Sequence, residues 1–258
     1  MSTERALQTA IATAREAGAL LRTFLHRPLH IHEKARRADL VTDADRSSEQ
    51  LIVERLRAAF PSSTIVGEES GVHDGTGSER WYVDPLDGTT NFAHGYPIFC
   101  VSIGYERDGE LMAGVIYAPF YDELFAASRG AGATLNGTPI RVSRIAKLAD
   151  AMTCTGFRPA DYDRNGAHFQ TMSRTAQAVR RDGSAALDLA SVACGRFDGF
   201  WEFDLRAWDV AAGAMLVREA GGTVSAIGGS AFRTDGGSIL ATNGPIHEEM
   251  LAVLAKDA

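Results

Sequence analysis

The chain has 258 residues, 45% hydrophobic and 23% charged, with 26 glycines and 8 prolines, a globular composition that excludes fibrous, collagen-like and low-complexity classes. A net charge of −7 argues against a general nucleic-acid binder, and it means that an anionic substrate would need local cations. Three cysteines in no CxxC pair, no apolar signal core and no run of about 18 apolar residues lead us to expect a soluble, cytoplasmic protein with no membrane partner.

Leu7, Ile11, Ala14, Gly18, Leu21 and Leu25 recur at alternating steps of four and three, which predicts an amphipathic helix ending near Pro28. A second helix is predicted from Ala44 to Phe60, with "LIVERLRAAF" as its apolar face and Pro61 as its stop. The His30-x-His32 pair between them has no nearby acid or thiol set and reads as a surface pair. "STIV" and "RWYV" are β-branched and aromatic runs that predict strands. "FCVSIGYE" and "LMAGVIYA" flank Asp108-Gly109 as a hairpin, and "ELFAAS" and "IRVS" flank a glycine-rich stretch containing Asn136-Gly137. This half reads as two helices beside a mostly antiparallel sheet.

Beyond Ala149 the pattern alternates. "MTCTG", "AVRR", "FDGFWEF", "TVSAI" and "SILATN" predict strands, and "SAALDLASVACG" and "WDVAAGAMLVREAGG" predict helices. A last helix is expected from Pro245, with Asn243 as a possible cap. This half reads as α/β. "RIAKLADA", Arg144 to Ala151, is the expected boundary, giving residues 1–146 with most of the acidic site and 147–258 with the rest. No flexible linker separates the halves, so a tight interface is expected.

The segment "WYVDPLDGTTNF" carries the chemistry. Pro85 biases Asp84 toward extended backbone, so Asp84 is expected to end the strand, and Asp87-Gly88-Thr89-Thr90 to turn. Two carboxylates at a strand end attract a cation, and the turn's N–H groups suit an anion, so together they describe a metal-assisted phosphate site. Plain turn chemistry is the competing account, since Asp and Gly favour turns anyway. An EF-hand calcium loop has the wrong spacing. The DxDGT motif of haloacid dehalogenase phosphatases is one residue shorter, and such a slip turns a strand side chain to the other face. Further acids follow apolar runs: Glu68 and Glu69 after "STIV", and Asp209 opening a helix. Solvated loop positions and helix-dipole stabilisation respectively would account for each of these alone.

In combination these segments resemble the inositol monophosphatase family of magnesium-dependent phosphatases. The resemblance rests on "GEES", "DPLDGTTNF" and "WDVAAGAMLVREAGG", supported by "EKARRADLVTDAD", "GATLNGTPIRVS" and "RRDGSAALDLASVACGRFDGFWEF", in order over almost the whole chain. It implies a layered αβαβα sandwich combining α+β and α/β halves, a homodimer, and two to three Mg²⁺ per active site, with Mn²⁺ able to substitute. It implies that Glu68, Asp84 and the Leu86 carbonyl hold one ion, that Asp84, Asp87 and Asp209 hold a second, and that Glu68 supports a third through water. Gly88 and Thr89, beside Asp87, would meet the phosphate. Thr89, oriented by Asp45, would position the attacking water with Glu68. Gly183, Ser184, Ala185, Glu202 and Asp209 would face the alcohol. Thr42-x-x-Asp45 also reads as a helix capping box.

Two carboxylates about 4 Å apart repel by roughly 4 kcal/mol at an effective dielectric of 20, so gathering four requires cations. Oxygen-only donors select hard ions such as Mg²⁺ or Mn²⁺ over Zn²⁺. The expected activity is hydrolysis of an inositol monophosphate by metal-activated water, without a covalent intermediate. Histidinol-phosphate and fructose-1,6-bisphosphate are rival substrates on the same scaffold, with Arg206 or Arg180 a conceivable donor to a second phosphate. The 3′-phosphoadenosine phosphatases usually have extra length. A regulatory binding module is the alternative from another class.

Overall fold

The computed structural model describes residues 2–25, 31–33, 40–157 and 162–255. His30 and the side chain of His32 lie outside the described residues, as does Pro28. Helix α1 (Thr3–Phe24) opens on Ser2, whose side chain accepts the Arg5 N–H. Strands β1 (Ile31–Glu33) and β2 (Leu40–Thr42) pair antiparallel, and α2 (Asp43–Ala59) follows. Next come β3 (Thr64–Gly67), β4 (Gly71–His73), β5 (Glu79–Asp87) and the short α3 (Thr89–Ala93). The meander is β6 (Cys100–Arg107), β7 (Glu110–Ala118), β8 (Glu123–Ser128), β9 (Gly132–Leu135) and β10 (Thr138–Ile140). The rest of the chain contributes β11 (Met152–Thr155), α4 (Tyr162–Thr175), β12 (Ala178–Arg180), α5 (Ala185–Ala193), β13 (Gly199–Phe203), α6 (Ala207–Glu219), β14 (Thr223–Ser225), β15 (Ser238–Thr242) and α7 (His247–Leu254).

The layers are αβαβα, as expected. An eight-stranded sheet, ordered β10-β9-β8-β7-β6-β5-β3-β4, carries α1 and α2 on one face and α5 and α6 on the other. Its pairings are antiparallel except β3 with β5. A five-stranded mixed sheet, β12-β11-β13-β15-β14, covers the far side of α5 and α6, and its outer face packs on α4 and α7. Strand alternation explains the layering: Trp81 and Val83 enter the core under α1 and α2, while Tyr82 enters the one under α6. Helix α6 can lie close to the sheet because Gly104 and Gly114 face it. A Cβ on Gly104 would stand 2.6 Å from the Ala211 Cβ, and one on Gly114 would stand 2.8 Å from the Ala212 Cα.

Several boundaries differ from expectation. Both hairpin tips turn where predicted, with positive φ at Asp108, Gly109, Asn136 and Gly137. "IRVS" does not form a strand beyond Ile140. Helix α7 starts at His247, two residues later than Pro245, although Asn243 Oδ1 still accepts the Ile246 N–H. Helix α4 was not anticipated, because "YDRNGAHFQTMSRT" lacks a regular apolar stripe. Among the described residues no helix is long and apolar enough to cross a membrane.

Candidate active site

Asp84 does not end its strand. Strand β5 continues to Asp87, and its pairing with β6 shifts between them: Asp84 faces Ser102 and Asp87 faces Cys100, so three steps on β5 match two on β6. In a regular strand, residues three apart point to opposite faces. The extra residue of this bulge returns Asp87 to the face of Asp84 while Leu86 stays in the core beneath α2. The bulge is what lets two acids three residues apart meet at one cavity.

The turn that follows is tight. Gly88 takes φ +92°, and a Cβ there would stand 2.7 Å from the Ile98 carbonyl oxygen, so glycine is required. α3 then begins at Thr89. Ser102 Oγ donates to the Trp208 carbonyl (3.3 Å), tying β6 beside Asp84 to the first turn of α6, where Asp209 sits.

A cavity of about 320 Å³ opens here, lined by Glu68, Asp84, Asp87 and Asp209 on its acidic side. Leu86, Gly88, Thr89, Gly183, Ser184, Ala185 and Glu202 also line it. Asp45, behind the wall, reaches it through Thr89. Glu69 instead borders a separate cavity with Glu49 and His73.

Asp84, Asp87, Asp209 and Asp45 each have a fixed partner. Asp84, 2% exposed, accepts the Leu86 N–H on Oδ1 at 3.0 Å. Asp87 Oδ2 accepts from Ser184 Oγ and the Ala186 N–H, both at 2.7 Å. Asp209 Oδ2 accepts the Arg206 N–H at 2.6 Å, the helix-start role anticipated for it. Asp45 closes the capping box, with Oδ2 taking the Thr42 N–H and hydroxyl at 2.8 and 2.6 Å, and its Oδ1 accepts the Thr89 hydroxyl at 3.0 Å. The Thr89 hydroxyl also lies 3.0 Å from the Leu86 carbonyl.

Burial, then Glu68, Asp87 and Asp209, push the Asp84 carboxyl well above the usual range. Burial lifts Asp87 to about 6 against the hydrogen bonds from Ser184 and Ala186. Burial also raises Asp45. Among the described residues, no three acidic, His or Cys side chains close around a single point as a finished ligand set. Like charges in a partly enclosed pocket hold apart and take N–H and O–H donors. The donor set nevertheless fits a hard divalent cation: carboxylates and one carbonyl, mutually repelling, with no His or Cys on the lining.

Other lining residues were not singled out by sequence reasoning. Arg180 and Arg206 do not line the cavity, whereas Arg181 does, with its guanidinium over the Phe157 ring at 5.4 Å and bonded to the Phe157 carbonyl. The three arginines fall within strand-end and loop segments whose side-chain directions the pattern does not fix. Gly156 makes room for Glu202, since a Cβ there would collide with its carboxylate. Asn91 Nδ2 donates to the Asp182 and Ile98 carbonyls, both at 2.8 Å, joining α3 to the loop before α5. Ser184 caps α5, and its hydroxyl is engaged with Asp87.

The inositol monophosphatase family model matches residues 2–258. The inositol-1-monophosphatase of Synechocystis sp. is 47% identical over 257 residues, covering 96% of this chain and 90% of that protein. A Pseudomonas aeruginosa protein named Nus factor SuhB is 43% identical, covering 96% of this chain and 95% of its own. Among solved structures, the extragenic suppressor protein suhB from Bartonella henselae matches with a TM-score of 0.93 at 40% identity, covering 97% of this chain and 98% of that one. A family match from residue 2 to 258, relatives above 40% identity over nearly the whole length and a shared layered fold lead to one conclusion: the chain belongs to the inositol monophosphatase family, a family of metal-dependent phosphoric monoester hydrolases.

Proposed function

We propose that this chain hydrolyses inositol monophosphate to inositol and phosphate with Mg²⁺ in the acidic cavity, Mn²⁺ being able to substitute. The observation that supports the reading is a single cavity in which four carboxylates from three distant segments adjoin a glycine turn. Glu68, Asp84, Asp87 and Asp209 with the Leu86 carbonyl would hold two ions, and Glu68 would support a third through water. Divalent ions bound there lower the pKa of a water and neutralise phosphoryl charge.

The chain's own groups do the rest. The Gly88 and Thr89 N–H groups, beside Asp87, hold phosphate oxygens. Thr89 donates its hydroxyl hydrogen bond to Asp45 Oδ1, so its lone pairs orient the attacking water together with Glu68. Arg181 supplies the local cation that a chain of net charge −7 needs to draw in an anion. Gly183, Ser184, Ala185, Glu202 and Asp209 bound the side where the alcohol leaves.

The test is a panel of inositol 1-phosphate, histidinol-phosphate and fructose-1,6-bisphosphate compared by kcat/KM. Inositol 1-phosphate should lead; a preference for either rival reassigns the substrate. The name Nus factor borne by the 43% identical relative favours a second reading, a regulatory binding module, and turnover of none of the panel in Mg²⁺ would support it. The family resemblance also implies a homodimer, which sedimentation velocity tests.

A further inference from the structure

One face of α2 carries Asp45, Ser48, Glu49, Ile52 and Leu56, all buried. Their spacing makes one stripe along the helix. Ile52 and Leu56 enter the core. The polar part of the stripe instead grips the backbone segments that carry the acids. Asp45 holds Thr89. Ser48 Oγ donates to the Pro85 carbonyl at 2.9 Å, between Asp84 and Leu86. Glu49 accepts the Glu69 N–H on Oε2 at 2.9 Å and the Ser70 N–H on Oε1 at 2.6 Å, directly after Glu68.

Glu49 is 2% exposed. Gly67 gives it room, since a Cβ there would stand 2.7 Å from Glu49 Oε2. The Glu68 N–H is itself bonded to the Val83 carbonyl at 3.1 Å. Glu68 is thus fixed to β5 on one side and, through the next two amides, to α2 on the other. Burying another carboxylate behind four that already repel one another is unfavourable. Two adjacent N–H groups held by a bidentate acceptor offset that cost by fixing the loop in one geometry.

We propose that Glu49 and Ser48 are positioning residues: they act through Glu68 and through the Pro85–Leu86 backbone to set the spacing of the cation-holding oxygens, and they touch neither substrate nor ion. Neither lines the acidic cavity. The inference rests on the metal-dependent reading above.

The test uses the full-length chain and Mn²⁺ as probe, following free Mn²⁺ by electron paramagnetic resonance, with the rise in Tm on adding Mg²⁺ as a second readout. Glu49→Gln keeps the side-chain shape but leaves one oxygen for two N–H groups. Its Mn²⁺ affinity should fall by about 10- to 100-fold, the range found when partners of metal ligands are removed. Ser48→Ala should weaken binding in the same direction, and kcat at saturating metal should change little in either. Glu219→Gln is the control: Glu219 clamps the Gly130 and Gly132 N–H groups, each at 2.9 Å, outside the acidic cavity. It should lower Tm and leave Mn²⁺ affinity alone.

Unchanged affinity in Glu49→Gln, or equal weakening in Glu219→Gln, overturns the positioning role. Should Glu49→Gln fail to fold, Ser48→Ala decides by the same two results. A wild-type chain that binds no Mn²⁺ sinks the metal-dependent reading itself, whereas normal wild-type binding with an unaffected Glu49→Gln sinks only this inference.

Discussion

Asp84→Asn should separate function from stability in opposite directions. The substitution preserves shape, and Asn Oδ1 can still accept the Leu86 N–H that Asp84 Oδ1 accepts at 3.0 Å. What it removes is a buried titratable carboxyl, pushed up by burial first and then by Glu68, Asp87 and Asp209. The neighbouring Asp87 is raised by burial as well. A carboxyl lifted to about 6 in place of 3.8 costs the metal-free fold at most about 3 kcal/mol at pH 7, less as solvent screens it. The sign follows from linkage. A folded pKa above the unfolded one leaves stability intact at low pH and removes it as pH rises through the folded value. Metal-free Asp84→Asn should therefore be more stable than metal-free wild type at pH 7.5 in urea unfolding, with the gap closing toward pH 4. The same variant should lose at least about 10²- to 10³-fold in kcat, the range for removing one preorganised electrostatic group. Near-normal turnover, or a metal-free variant less stable than wild type at pH 7.5, would refute the argument that these charges are gathered for cations.

Exhaustive chelation should silence turnover and Mg²⁺ restore it; activity that survives chelation contradicts the proposed mechanism. Glu202→Gln should change the ratio of kcat/KM between inositol 1-phosphate and a simple aryl phosphate, and equal loss on both would remove Glu202 from the alcohol side. Gly156→Ala, which drives a methyl into the Glu202 carboxylate, should raise KM more than it lowers kcat, as steady-state kinetics will read. His247 is buried between the Ser225 and Thr242 hydroxyls at 3.0 and 2.9 Å, and burial holds its pKa below 6.5 against Glu248. Stability should therefore fall as pH drops below about 6.5, where the unfolded chain takes up a proton that the fold resists; His247→Gln should flatten that part of the profile in urea unfolding.

Much of this was legible in the sequence because period and punctuation agree with the fold. The 3.6-residue stripe of α1, the Asp108-Gly109 and Asn136-Gly137 turns and the Ser184 cap are local signals that tertiary contacts reinforce. Helix α4 was missed because its apolar residues, such as Met172, are few and its polar ones crowd the same stretch. Residues such as Ser48, Glu49, Asn91, Ser102 and Gly156 matter in part through partners 20 to 106 positions distant, and no local pattern reports a contact of that span.

The acids themselves show why reading failed where it did. The sequence places both carboxylates at one strand end with Asp84 closing the strand, but β5 runs on to Asp87. A bulge keeps both on one face, a turn needs glycine at φ +92°, and four carboxylates share one pocket against their own repulsion. A chain selected only for stability would not keep a bulge beside gathered carboxylates, and two such costs in one place mark where the fold is held in a state suited to a bound cation.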